Sequence, residues 1–229
     1  MERIHELPCE VSQVPSTLHG QLFLLAFDPK LGRFDGHDTA LFGFALRAAM
    51  LADLYLRGFL VEREGRAVPG KAISPGDLLL RGTFAQVGVH NRATWAELIA
   101  GNAQGTVCAV REQLLTEGWL RGGRYAAVQA VPGAGLEPHD ACRVGALAED
   151  FSAALRNAIT GIPVEPWLLA GGTLAVLARL PGLAGFVSGA GGNRMPKLMN
   201  MAIAPVAGLN EVLRLHGEGS PAQRMGGMP

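Results

Sequence analysis

A mainly α fold is predicted for this chain: one compact helical domain over residues 1–216 with winged-helix-like units, each a helix followed by a β-hairpin, and a disordered Gly/Ser/Pro/Gln-rich tail at 217–229. Three observations predict it. Long stretches with a capping residue at one end and a glycine at the other carry apolar residues at three- and four-residue steps, the period of a helix with one buried face. Short alternating segments follow two of those glycines, as strands would. Of the 229 residues, 48% are hydrophobic, enough to fill one sizeable core.

Leu22 to Phe27 is a continuous apolar run before the turn-like Asp28-Pro29-Lys30-Leu31-Gly32, and periodicity allows either a buried strand or the start of a helix. Asp38 then caps a helix carrying Leu41, Phe42, Ala45, Ala49, Leu54 and Leu56 and closed by Gly58. Phe59 to Val68 folds back at Arg63-Glu64-Gly65-Arg66 as a hairpin. The order recurs about sixty residues later, where Leu54-x-x-x-Gly58-Phe59-Leu60 is echoed by Leu114-x-x-x-Gly118-Trp119-Leu120 and the alternating Tyr125 to Val131. Between the copies, Thr94 to Ala100 and Gly105 to Leu115 have helical patterns. Asp140 opens a further helix with Val144, Leu147, Phe151 and Leu155 on one face, ending near Gly161. From Val164 to Asn210 the charged residues are Glu165, Arg179, Arg194 and Lys197, so these helices are apolar nearly all round and belong in a core, against lipid or around an apolar ligand.

Charge restricts the partners. Twenty basic residues balance twenty acidic ones, leaving no overall field to gather nucleic acid, and the helix after Asp38 offers only Arg47 and Arg57, with Asp53 between them, where a groove-reading helix needs a basic polar face. No nucleic-acid partner is expected. Cys9, Cys108 and Cys142 are odd in number and widely spaced, which argues against a disulfide framework or a zinc site and for a reducing cytoplasm. Met1 to Glu10, with Glu2, Glu6 and Glu10, does not read as a secretory signal, and Arg179 and Pro181 interrupt the one span-like run, Pro166 to Val187. Abundant Ala, Gly and Leu with little Lys suggests a bacterial chain from a GC-rich genome.

Enzyme signatures are absent: there is no GxSxG, HExxH, Walker A or zinc-finger spacing, and no metal or cofactor is expected. The glycine-rich Ser188 to Arg194 lacks the GxGxxG register and reads as an interhelical loop. His37-Asp38 and His139-Asp140 could serve in acid/base chemistry, with Asp35 nearby, but capping alone explains both aspartates. Arg47 stands apart. Set among Phe44, Leu46, Ala48, Ala49 and Met50, its guanidinium must reach water, a carboxylate or a bound anion.

Several motifs, in order, resemble the Golgi phosphoprotein 3 (GPP34) family, as a bacterial-type member, from about His19 to His216. Leu22-Phe23-Leu24-Leu25 resembles its opening segment, and Leu46-Arg47-Ala48-Ala49-Met50-Leu51-x-x-Leu54-x-x-x-Gly58 its LRGGML helix. Gly76-Asp77-Leu78-Leu79-Leu80, Thr94-Trp95-x-Glu97-Leu98-Ile99-x-Gly101 and Val110-Arg111-x-x-Leu114-x-x-x-Gly118-x-Leu120 follow. The resemblance implies a helical fold with a membrane-facing hairpin and a shallow pocket for phosphatidylinositol 4-phosphate, lined by a tryptophan and basic residues. Arg47 matches the first pocket arginine. The pocket aromatic falls on Gly36-His37-Asp38-Thr39 and two basic positions fall on Gln104 and Val107, with Arg111 one turn further on.

The leading expectation is a peripheral membrane adaptor, cytoplasmic and partly at the inner face of the membrane, that binds an anionic phospholipid head group through Arg47 and Arg111. A hairpin carrying Tyr125, Val128 and Val131 would touch the bilayer, and a homo-oligomer is compatible with this. The alternative is an enzyme or binding protein for a hydrophobic or phosphorylated small molecule, held between the low-charge C-terminal helices. Arg194, Lys197, Asp35, His37, Asp38 or His139 would then be its polar contacts.

Overall fold

One helix, α2 (Thr39–Leu56), runs through the centre of the molecule in the computed structural model, which describes residues 14–28, 34, 39–90, 93–122, 135–188 and 194–218. Its sequence explains its place. Of the expected apolar stripe Phe42, Ala45, Ala49 and Leu54 are buried and Leu41 and Leu56 partly so, but Phe44, Leu46, Ala48, Met50, Leu51 and Ala52 are buried too, so neighbouring helices cover every side. Burial of each Leu, Met or Phe contributes about 1.5–3 kcal/mol. Around α2 pack α1 (Leu18–Leu25), α3 (Leu78–Val89), α4 (Trp95–Ala100), α5 (Ala103–Thr116), α7 (Pro166–Leu177) and α10 (Ala204–Glu218). The mainly helical class therefore holds.

The ambiguous first run is helical. All of α1 is buried, which is why no face shows in its sequence, and beyond it Phe27 bridges to Phe34. Phe23 lies with ring centroids 5.6 Å from Phe34 and 5.4 Å from Phe42, an aromatic cluster that joins α1 to α2.

The first helix-and-hairpin unit forms, and a strand pair also follows the helix of the second, whose alternating Tyr125 to Val131 segment lies outside the described residues. After α2 come β1 (Leu60–Arg63) and β2 (Arg66–Pro69), paired antiparallel through a two-residue turn in which Glu64 and Gly65 both have positive φ, the geometry favoured by a right-twisted hairpin. After α5 come β3 (Leu120–Gly122) and β4 (Leu136–Pro138). The repeat extends to hydrogen bonds: the Phe59 N–H donates to the Leu54 carbonyl and the Trp119 N–H to the Leu114 carbonyl, each at 2.9 Å, around Gly58 (φ 76°) and Gly118 (φ 77°). A left-handed residue at this point lets the chain cap the last carbonyls and turn into the strand, which favours glycine.

Asp140 caps α6 (Ala141–Thr160) by accepting from the Cys142 and Arg143 amides, and Gly161 ends it at φ 83°. The low-charge segment begins as solid core: α7 lies so close to α6 that a Cβ on Gly171 would sit 2.7 Å from the Phe151 ring. A short 3-10 turn (Pro181–Leu183), α8 (Ala184–Ser188), α9 (Arg194–Asn200) and α10 complete the chain, with α10 running two residues past the boundary expected at 216. Among the described residues no helix is long and apolar enough to cross a membrane.

Candidate functional site

Arg47 and Asp53 are both buried in α2, yet their surroundings differ. Asp53 is fully enclosed, accepting from the Leu18 amide (2.7 Å) and the Arg57 guanidinium (2.8 Å). Arg57 also donates to the Ser16 carbonyl and lies over the Trp167 ring. That charge is accounted for within the protein. Arg47 is 5% exposed and directs Nε (3.3 Å) and Nη2 (3.0 Å) at a single acceptor, the Leu98 carbonyl of α4. A guanidinium has five N–H donors and stays protonated, so most of its hydrogen-bonding capacity is unused by the described residues. Burial lowers its pKa from the ordinary arginine value, and no carboxylate among the described residues offsets that.

The unused side faces a concavity of about 740 Å³ bounded by α2, the C-terminal end of α3, α4 and the loop into α5. Gln86 and His90 of α3, Glu97 of α4 and Asn102 supply its other polar groups. Glu97 is turned to local work: its carboxylate accepts from the Thr94 amide (2.8 Å) and hydroxyl (3.1 Å) in a capping box. Those bonds, the backbone one first, hold its pKa below the ordinary glutamate value. Asn102 adopts a left-handed conformation (φ 52°) and leads into α5, whose first-turn amides receive no side-chain cap. The N-terminal end of a helix presents free N–H groups and a partial positive charge. A buried guanidinium, an uncapped helix start and neutral amide side chains together suit an oxygen-rich anion.

The helix that carries Arg47 and both strand pairs lie in a segment, residues 18–200, that matches the sequence profile of the Golgi phosphoprotein 3 (GPP34) family. The chain belongs to that family. Neither a curated protein nor a solved structure matches it.

Within this family member, Arg47 lines the concavity, whereas Arg111 does not: it pairs with the neighbouring Glu112 at 2.8 Å on α5. Of the two positions aligned with basic pocket residues, Gln104 is exposed and Val107 is core. His139 is exposed at the foot of the second strand pair, beside the capping Asp140 and away from Arg47. Asp35, His37, Asp38, Tyr125, Val128 and Val131 lie outside the described residues. Arg194 lies over the Phe186 ring and Lys197 is exposed. Among the described residues no group of His, Cys, Asp and Glu is arranged to hold a metal.

Gln86, His90 and Asn102 were not singled out from the sequence. Asn102, at a helix start after Gly101, carried a local signal; Gln86 and His90 become neighbours of Arg47 only through tertiary packing.

Proposed function

We propose that this chain is a peripheral membrane adaptor that binds the anionic head group of a phospholipid in the Arg47 concavity, at the cytoplasmic face of a membrane. The observation that carries the proposal is the buried guanidinium that has no carboxylate partner among the described residues and opens onto solvent. A buried cation is costly unless compensated, and an anion entering from the concavity compensates it. Family membership favours lipid as the source of that anion. With Gln104 and Val107 at the aligned basic positions, the head group meets one arginine and the α5 amides rather than an arginine cluster, so a phosphoinositide is held weakly by the pocket alone. Apolar contact with the bilayer, including the segment that carries Tyr125, Val128 and Val131, makes up the remainder.

Arg47→Gln tests this, because glutamine keeps an N–H for the Leu98 carbonyl while removing the charge. Co-sedimentation with phosphatidylcholine vesicles containing phosphatidylserine or a phosphoinositide should weaken by roughly tenfold, the value of one charge-assisted hydrogen bond, with little change in melting temperature. Equal binding by wild type and variant would remove the proposal.

A further inference from the structure

Helix α3 is apolar on the wrong side. Its inner face is the expected one, with Leu80, Thr83 and Val87 buried against the body of the protein. At 3.6 residues per turn, Leu78, Gly82, Ala85 and Val89 fall within an arc of roughly 60° on the opposite side. There Leu78 is 74% and Val89 78% exposed, and Ile73, in the connection leading into the helix, is 94% exposed. These are the three most exposed large hydrophobic residues among those described. A surface helix normally presents charged and polar residues outward.

The charge that α3 itself carries is positive. α3 contains no acid and carries Arg81, which is exposed, at its flank; exposed Lys71 precedes Ile73. The nearest acid in sequence, Asp77, is occupied as the helix cap, accepting from the Leu80 amide at 2.8 Å and from the Gln113 side chain. An apolar stripe on a helix that carries a cation and no acid suits the interface of an anionic bilayer, where apolar side chains enter the acyl boundary and cations meet lipid phosphates. It suits a second protein copy less well. The stripe measures about 18 Å by 10 Å from a 12-residue helix, far below the roughly 800 Å² per partner that a specific interface buries.

Position joins this face to the candidate site. Val89 ends the stripe and also lines the Arg47 concavity, together with Gln86 and His90 of the same helix. We infer that the outer face of α3 rests on an anionic bilayer, with Leu78, Val89 and Ile73 entering the lipid and the Arg47 concavity opening at the level of the head groups. This rests on the lipid reading of that concavity and adds the surface through which the bilayer is approached.

The test uses the full chain, phosphatidylcholine vesicles with and without phosphatidylserine, and inorganic phosphate as a soluble probe of the pocket. Ile73→Asp combined with Leu78→Asp alters two exposed side chains that do not line the concavity and should leave the fold and the phosphate-induced shift of the Asn102 amide signal unchanged. Binding to the anionic vesicles should weaken by roughly tenfold or more. Arg47→Gln should lose the phosphate response as well as vesicle binding. If the double variant sediments with vesicles as the wild type does, α3 is not the bilayer contact, whatever Arg47→Gln shows. If the wild type is a dimer that the double substitution splits, the face is a protein contact and the inference fails. Wild-type protein that ignores the vesicles would end both proposals. Loss in the double variant with none in Arg47→Gln would keep α3 on the bilayer and retire the pocket.

Discussion

Asp53→Ala is expected to lower the unfolding free energy by about 3 kcal/mol, measured as a shifted midpoint in urea. The carboxylate joins three parts of the chain: it sits on the central helix, accepts the Leu18 amide at the start of α1, and holds Arg57, which reaches the Ser16 carbonyl. Removing it leaves the buried Leu18 amide without its acceptor, which costs about 1–3 kcal/mol, and a small void besides. Arg57 adds less than a fully buried partner would, because its side chain is 41% exposed and can turn to water.

Acidity separates the roles of charge and shape at this position. Burial outweighs the Leu18 amide and Arg57 and raises the Asp53 pKa above the ordinary carboxylate value. The folded state thus holds the proton more tightly than the unfolded one. Its contribution is complete below the unfolded carboxylate pKa and is lost as pH rises through the folded pKa. Asp53→Asn has no such proton, so the stability gap between wild type and this variant should narrow with rising pH across that window. A gap that widens would mean that the ion pair with Arg57 outweighs desolvation. His19, also buried, has its pKa lowered mainly by that burial and so favours the fold as pH rises; the Asp53 charge works against that lowering, so the two proteins are compared in a His19→Gln background, where this contribution is absent.

Residues whose structure is decided by near neighbours were readable from the sequence. Gly58, Gly118 and Gly161 take left-handed conformations at helix ends, and Asp140 caps α6, because capping is settled within a few residues. The hairpin turn at Glu64-Gly65 is another such case. α3 was not assigned, for a physical reason: Leu78, Leu79 and Leu80 at one end and Val87 and Val89 at the other put apolar groups on both faces, and Gly82 and Gly88 dilute the helical signal. Only Asp77, the cap, marked its start. α1 could not be told from a strand because it is buried on all sides and therefore has no pattern. At the site, Arg47 stood out as a cation in an apolar run, but its acceptor lies 51 residues away in sequence. The same holds for Asp53 and the Leu18 amide, 35 residues apart.

Gly43→Ala is expected to destabilise the protein by about 2–3 kcal/mol, although the same exchange in an open helix is favourable. Gly43 sits one turn before Arg47, where α2 meets the start of α5. A Cβ there would lie 2.5 Å from the Ala103 carbonyl oxygen and 2.7 Å from its carbon. Both are backbone atoms, so no rotamer change relieves the clash and the two helices must move apart. Gly145→Ala on α6 provides the control: nothing lies within 4 Å of the added methyl, and the gain in helix propensity should stabilise by about 0.5–1 kcal/mol. Opposite signs for one chemical change would tie the first effect to the α2–α5 approach. Because the uncapped start of α5 borders the concavity, the displacement should also weaken vesicle binding by protein that remains folded. A Gly43→Ala protein as stable as wild type would mean that the two helices can separate freely at this point.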